Sequence, residues 1–223
     1  FWLWELEKFP KEWTGCIDLL HEIWTPSEFV SRAVRKRTQK PVITIPYHVE
    51  APTDPICDRE YFHLPKDQFL FLMMYDSNSI MERKNPVGVL KAFQEAFSRE
   101  EQNAGLVIKM SSADKDEINQ IRQVLDGYKN VYFLTKVLTK VEANSLTRCV
   151  DVFVSMHRAE GFGLVLAEAM LLGVPCIATG WSANTEFMNA DTACMLDYQL
   201  VPIQEDLGPF RKGNHWADPD IHQ

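Results

Sequence analysis

The feature that most constrains the fold is the exchange of strand-like and helix-like periodicities from about residue 41 onward. Residues 69–75 are continuously apolar, as in a strand buried on both faces. Residues 86–99 then place Val87, Leu90, Phe93, Ala96 and Phe97 at helical spacing, with Pro86 suited to a first helical position. The same reading predicts strands over 42–46, 106–110, 131–134, 152–155 and 175–179, with 193–196 as the last. It predicts helices over 114–125, 139–149 and 163–172, the third ended by Gly173. Strand and helix alternate about five times across short connections. That pattern implies β-α-β units, hence an α/β fold with a parallel sheet covered by helices on both faces. Ligands bind such sheets beyond the carboxyl ends of the strands. The loops of interest are therefore 76–85, 111–113, 135–138, 156–162 and 180–186.

Composition narrows the partners. The 223 residues are 46% hydrophobic and 24% charged, which is ordinary for a globular chain. The formal net charge of −8 argues against a nucleic-acid partner. The one basic run, Arg32-Ala33-Val34-Arg35-Lys36-Arg37 with Lys40, reads as a solvated helix end; a weak contact with a membrane surface or polyanion is the alternative. Five cysteines without a C-x-x-C pair argue against a disulfide framework or zinc site and for a reducing compartment. There is no signal peptide and no apolar run near the ~18 residues of a membrane span. The expected location is cytoplasmic, peripheral to a membrane at most. The chain lacks an initiator Met, and both ends read as cut.

Residues 1–40 look helical and irregular. They hold Trp2, Trp4, Trp13 and Trp24, expected to pack this segment onto the domain behind it; the alternatives are that some face a missing half of the protein, or a membrane surface, which Glu5, Glu7 and Glu12 disfavour. Trp24-Thr25-Pro26-Ser27-Glu28-Phe29 reads as a strand end entering a turn and a helix start. The tail from Val201 shows no clear periodicity.

The stretch from Ser155 to Met170 carries the chemistry. It leaves a strand, crosses Gly161-Phe162-Gly163 and enters a helix, a junction suited to an anion. The two glycines let a backbone approach a ligand closely. The third glycine of a dinucleotide fingerprint is replaced by Leu166. Two carboxylates eight apart, Glu160 in the loop and Glu168 in the helix, add specificity: one can meet sugar hydroxyls, the other ribose hydroxyls. Both are also compatible with ordinary surface carboxylates. His157 is read either as a polar wall of the site or as a hydrogen-bonded structural histidine. Arg158 can pair with Glu160 or an acceptor phosphate. Lys109 can reach a phosphate or be merely solvated. A lone His beside one Glu supplies too few ligands for a metal.

Glu160 and Glu168, with Gly-Phe-Gly-Leu between them and Gly173-Val174-Pro175 after, resemble the E-x7-E motif of retaining glycosyltransferases of the GT-B fold, the glycogen-synthase and mannosyltransferase-like group. Arg83-Lys84-Asn85-Pro86 resembles that family's basic diphosphate contact. Ile177–Gly180 with Glu186, Trp24–Phe29 and Trp216-Ala217-Asp218-Pro219 resemble further family segments. The resemblance implies a Rossmann-like C-terminal half. Residues 1–40 would then be the end of the N-terminal domain and the hinge, and 41–223 the nucleotide-sugar-binding domain without its C-terminal helix. The loop Asp76-Ser77-Asn78-Ser79 departs from the family in supplying no basic residue.

By the same resemblance, Glu160 is the catalytic residue, contacting the donor sugar beside the reacting centre. Glu168 holds the ribose hydroxyls. Phe162, Gly163 and Leu164 offer backbone amides to diphosphate or sugar. Lys84 and Arg83 neutralise the diphosphate, and His157 lines the donor site. No cofactor or metal is implied. The donor is a GDP- or UDP-linked sugar, and the acceptor is a glycan, lipid or small molecule bound mainly by a missing N-terminal domain. The rival readings are a sugar-nucleotide 2-epimerase and a non-catalytic nucleotide-sugar-binding module.

Overall fold

The computed structural model describes residues 1–112 and 115–222. The expected helix start at Asp114 and the loop position Ala113 lie outside the described residues.

Six strands form the main sheet: β3 (Phe69–Asp76), β4 (Ala104–Ser111), β5 (Val131–Leu134), β6 (Val152–Ser155), β7 (Cys176–Thr179) and β8 (Cys194–Leu196). Their order is β5-β4-β3-β6-β7-β8, and every pairing is parallel. Four helices cross over between them: α4 (Pro86–Ala96), α5 (Lys115–Val124), α6 (Lys140–Cys149) and α7 (Leu164–Leu171). One face of the sheet packs Leu146 of α6 with Leu166 and Ala169 of α7 against Leu70, Leu72 and Val107. The other packs Val89, Leu90 and Phe93 of α4 with Ile121 of α5 against Leu106, Ile108 and Val154. Helices thus cover both faces, as the alternation predicts.

Local chemistry sets the helix ends. Thr139 and Glu142 form a reciprocal capping box at the start of α6. After α7, the amide of Gly173 bonds Met170 O and that of Val174 bonds Ala169 O. The chain can close the helix this way because Gly173 has φ +74°. α4 stops at Ala96, short of the expected 99, because Phe97 is extended at φ −132°.

Two expectations on strands need correction. The predicted strand over 42–46 is β2 (Val42–Thr44), which ends before Pro46 and stands outside the main sheet, paired in parallel with β1 (Ile23–Thr25). β8 is not the last strand: β9 (Tyr198–Pro202) and β10 (His215–Pro219) follow as an antiparallel pair. The tail also has no strict alternation because β9 is mostly exposed while β10 buries the consecutive Trp216 and Ala217.

The first forty residues add α1 (Thr14–Asp18) and α2 (Glu28–Arg35). They build a third core in which Trp4, Leu6, Phe9 and Val30 meet Ala159, Trp181, Phe210 and Trp216. Three of the four tryptophans join this packing; Trp24 stays 44% exposed.

Candidate functional site

The site forms where two strand ends meet. Beyond β3, the short helix α3 (Met81–Lys84) delivers Arg83 and Lys84. It ends on Asn85, a non-glycine residue at φ +50°. The Asn85 side chain accepts from Gly88 N at 3.2 Å, capping α4, and donates to Met156 O at 3.0 Å. One asparagine therefore fixes the helix start and ties it to the end of β6.

The loop after β6 is pinned along its length. Arg158 N donates to Arg83 O at 2.7 Å and Ala183 N to Glu160 O at 3.2 Å. Glu160 N donates to Ser182 Oγ at 3.0 Å, and Ser27 Oγ donates to Gly161 O at 2.8 Å. Glu160 is thereby turned toward α3. Its side chain, only 12% exposed, is ion-paired with Lys84 and lies 3.3 Å from Arg83 Nη1. Arg83 also donates to Ala159 O at 2.8 Å. Burial alone would raise the Glu160 pKa. Lys84 and then Arg83 outweigh burial and hold it at about 2, so the group is a carboxylate at any working pH.

Gly163 turns the chain into α7 at φ +95°. Helical bonding begins with the amides of Leu166 and Ala167, both donating to Gly163 O. The amides of Leu164 and Val165 thus stand at the open, electropositive end of the helix. Phe162 packs edge-on against Tyr47 at 5.2 Å and beside Phe187 at 5.5 Å. These groups surround a cavity of about 220 Å³ whose walls include Arg83, Lys84, Glu160, Phe162, Gly163 and Leu164.

Glu168, the second carboxylate of the motif, is 6% exposed. It is ion-paired with Lys140, the first residue of α6, which sequence reasoning did not single out. The available signal was positional: α6 opens directly after the strand-end loop 135–138.

Other expected site residues lie elsewhere. His157 is fully buried. Its ring meets Ser155 Oγ at 3.0 Å and Asn184 Oδ1 at 3.1 Å. It braces the loop from behind and does not line the cavity. Burial lowers its pKa, which favours the neutral ring. Arg158 pairs with Asp218 at 2.8 Å and stacks 5.3 Å over Trp216. Lys109 is neither a solvated strand end nor a wall of the cavity: it is 1% exposed and donates to Ser111 Oγ at 2.7 Å. Glu186 accepts from the amides of Glu28 and Phe29 at 3.0 and 2.7 Å, capping α2. A larger cleft of about 660 Å³ contains Arg158 and Asp218 but neither motif glutamate. The site is therefore assigned from its chemistry rather than its size. Among the described residues, no group of three or more His, Cys, Asp or Glu is placed to hold a metal, and no helix is long and apolar enough to cross a membrane.

The sequence model of the family "Glycosyl transferases group 1" matches residues 58–192, more than half of the chain and including both motif glutamates. The chain belongs to this family. Curated proteins gave no match. Among solved structures, the chain is similar to HepE of Anabaena in complex with UDP and glucose, at 17% identity and TM-score 0.66, covering 82% of this chain and 54% of that one. It is similar to a glycosyltransferase of Rickettsia africae at 15% identity and TM-score 0.69, covering 86% and 54%. The pneumococcal O-GlcNAc transferase GtfA in complex with UDP and GlcNAc matches at 15% identity and TM-score 0.61, covering 88% and 40%. These likenesses establish the fold: the six-stranded sheet is the Rossmann-like C-terminal half of a GT-B glycosyltransferase. The chain spans about half the length, or less, of the structures it matches.

Proposed function

We propose that this group 1 glycosyltransferase moves a hexosyl group from a nucleoside-diphosphate sugar to an acceptor hydroxyl with retention, and that the chain is its donor-binding part. The observation that carries this reading is the convergence of Glu160, Lys84, Arg83 and the open end of α7 on one cavity. In the reaction, the bond from the anomeric carbon to the diphosphate oxygen breaks. The acceptor oxygen forms the new bond to that carbon, and its proton leaves with the departing diphosphate. Lys84, Arg83 and the α7 amides stabilise the negative charge that develops on the leaving group. Glu160 holds the sugar in position. Glu168 takes the ribose hydroxyls of a uridine or guanosine nucleotide, and no metal or cofactor takes part.

In this reading residues 1–40 close the acceptor-binding domain and form the hinge, while 41–223 form the donor domain. The cleft closes between the two, so the donor domain alone is inactive. The acceptor is a glycan, lipid or small molecule held mainly by the N-terminal domain. Mannose is favoured by the mannosyltransferase-like resemblance, and glucose or galactose is the next choice. The enzyme works in the cytoplasm.

The test is to incubate the full-length protein, in EDTA, with UDP-glucose or GDP-mannose and a mixture of acceptor glycans and simple glycosides, and to follow the anomeric carbon by NMR. Release of nucleoside diphosphate with a sugar product of unchanged anomeric configuration is expected. Conversion to an epimeric nucleotide sugar without release of the diphosphate would instead establish an isomerase.

A further inference from the structure

The cavity beside Glu160 has a second carboxylate. Glu5, from the N-terminal segment, lines it together with Arg83, Lys84 and Tyr47. The segment is held there by close packing. Trp4 is fully buried and donates from Nε1 to Lys8 O at 3.1 Å. A Cβ built on Gly161 would stand 2.6 Å from both Trp4 O and Leu3 Cδ1. Residues 3–5 therefore rest directly on the loop that bears Glu160, and only glycine at 161 admits them.

The charges of the cavity are unevenly shared. Glu160 takes both cations, Lys84 and Arg83, as direct partners. Glu5 feels the same cations at longer range, and among the described residues it makes no direct hydrogen bond or ion pair. Burial raises its pKa. A carboxylate has about four acceptor positions, and leaving them unfilled in a partly buried wall costs stability. A polyol fills such positions with hydroxyl donors. The cavity's size agrees: about 220 Å³ is below the ~300–1,000 Å³ of pockets that enclose whole drug-sized ligands, and suits one sugar ring rather than an entire nucleotide sugar. When a diphosphate draws Lys84 and Arg83 toward itself, Glu160 is released from its ion pairs and joins Glu5, unpaired among the described residues, in accepting from that ring.

Resting on the donor-site reading above, we propose that Glu5 is a second sugar-binding carboxylate, accepting a hydrogen bond from a hydroxyl of the transferred sugar opposite Glu160. The N-terminal segment then contributes directly to donor recognition.

The test compares free nucleotide with nucleotide sugar on the full-length protein: UDP against UDP-glucose, and GDP against GDP-mannose. Glu5→Gln is expected to weaken the nucleotide sugar about tenfold or more, the scale of a hydrogen bond to a charged group, and to leave the free nucleotide within about twofold. Glu7→Gln, on the exposed side of the same segment, should change neither. The wild-type preference for nucleotide sugar over nucleotide should decline on acidification at a pH above the ordinary 4.5 of a glutamate. That decline should be absent in Glu5→Gln. If Glu5→Gln does not fold, Glu5→Asp keeps the charge but shortens its reach and should show the same selective loss. Equal weakening of both ligands, or of neither, overturns the proposal and leaves the donor site standing. Failure of the wild type to bind any nucleotide removes the donor site, and the proposal with it.

Discussion

Glu160 and Lys84, 76 positions apart in the chain, form an ion pair at the junction of β3, β6 and α7. The pair holds Glu160 charged, and under the proposed function it sets a sugar-facing carboxylate beside a cation for the diphosphate. Replacing Glu160 by Gln should reduce transfer by about 10²–10³-fold, the scale of losing one preorganised electrostatic group. UDP or GDP affinity should stay within about twofold. Lys84→Ala should show the opposite balance, weakening the nucleoside diphosphate about tenfold. Initial rates and calorimetric titrations of the two variants separate these roles.

Glu168 and Lys140 form a second ion pair, outside the walls of the cavity beside Glu160. If Glu168 holds ribose hydroxyls, Glu168→Ala should weaken UDP and uridine by the same factor, about tenfold, because the loss does not involve the phosphates. Lys140→Ala should have a smaller effect, since its side chain is 55% exposed and the pair is screened by solvent. A loss confined to UDP, with uridine unchanged, would move Glu168 away from the ribose.

Gly161→Ala should destabilise the fold by about 1–3 kcal/mol through overpacking, since the added methyl meets Trp4 O and Leu3 at 2.6 Å. Thermal melting monitored by tryptophan fluorescence is the direct readout. A melting temperature equal to wild type would mean that the N-terminal segment does not rest on this loop.

The buried His157 makes stability depend on pH. Its pKa is depressed in the folded protein, first by burial. The unfolded chain therefore binds more protons below the ordinary 6.5, so the contribution is present above that pH and declines as pH falls. Denaturant midpoints measured from pH 7.5 down to 5 should fall, and His157→Asn should flatten the slope over that window. An equal slope in both proteins would place the titration elsewhere.

The main sheet was legible because its strands are short apolar runs and α4 and α5 place apolar residues at helical spacing, while α7, apolar nearly all round, is marked by the glycines at either end. The hairpin β9–β10 was not, because β9 is mostly exposed and β10 buries two consecutive residues. The motif glutamates were legible as a spaced pair beside two glycines. Their partners were less so. Lys84 precedes Asn85-Pro86 at a helix start, a readable position, but Lys140 is one lysine among many until the fold sets α6 against α7. Glu5 was hidden more deeply: it stands among tryptophans and charged residues far from the motif, and only the third core brings it to the cavity. The burial of His157 and Lys109 likewise depends on tertiary packing that no local pattern carries.

The most direct measurement is a calorimetric titration of the full-length protein with UDP, GDP and ADP, with and without EDTA, repeated on Glu168→Ala. One nucleotide should bind, with the same affinity in EDTA, and its binding should weaken about tenfold in the variant. Binding that requires a divalent metal, or that is unchanged in Glu168→Ala, would contradict a metal-free donor site built on the two glutamates.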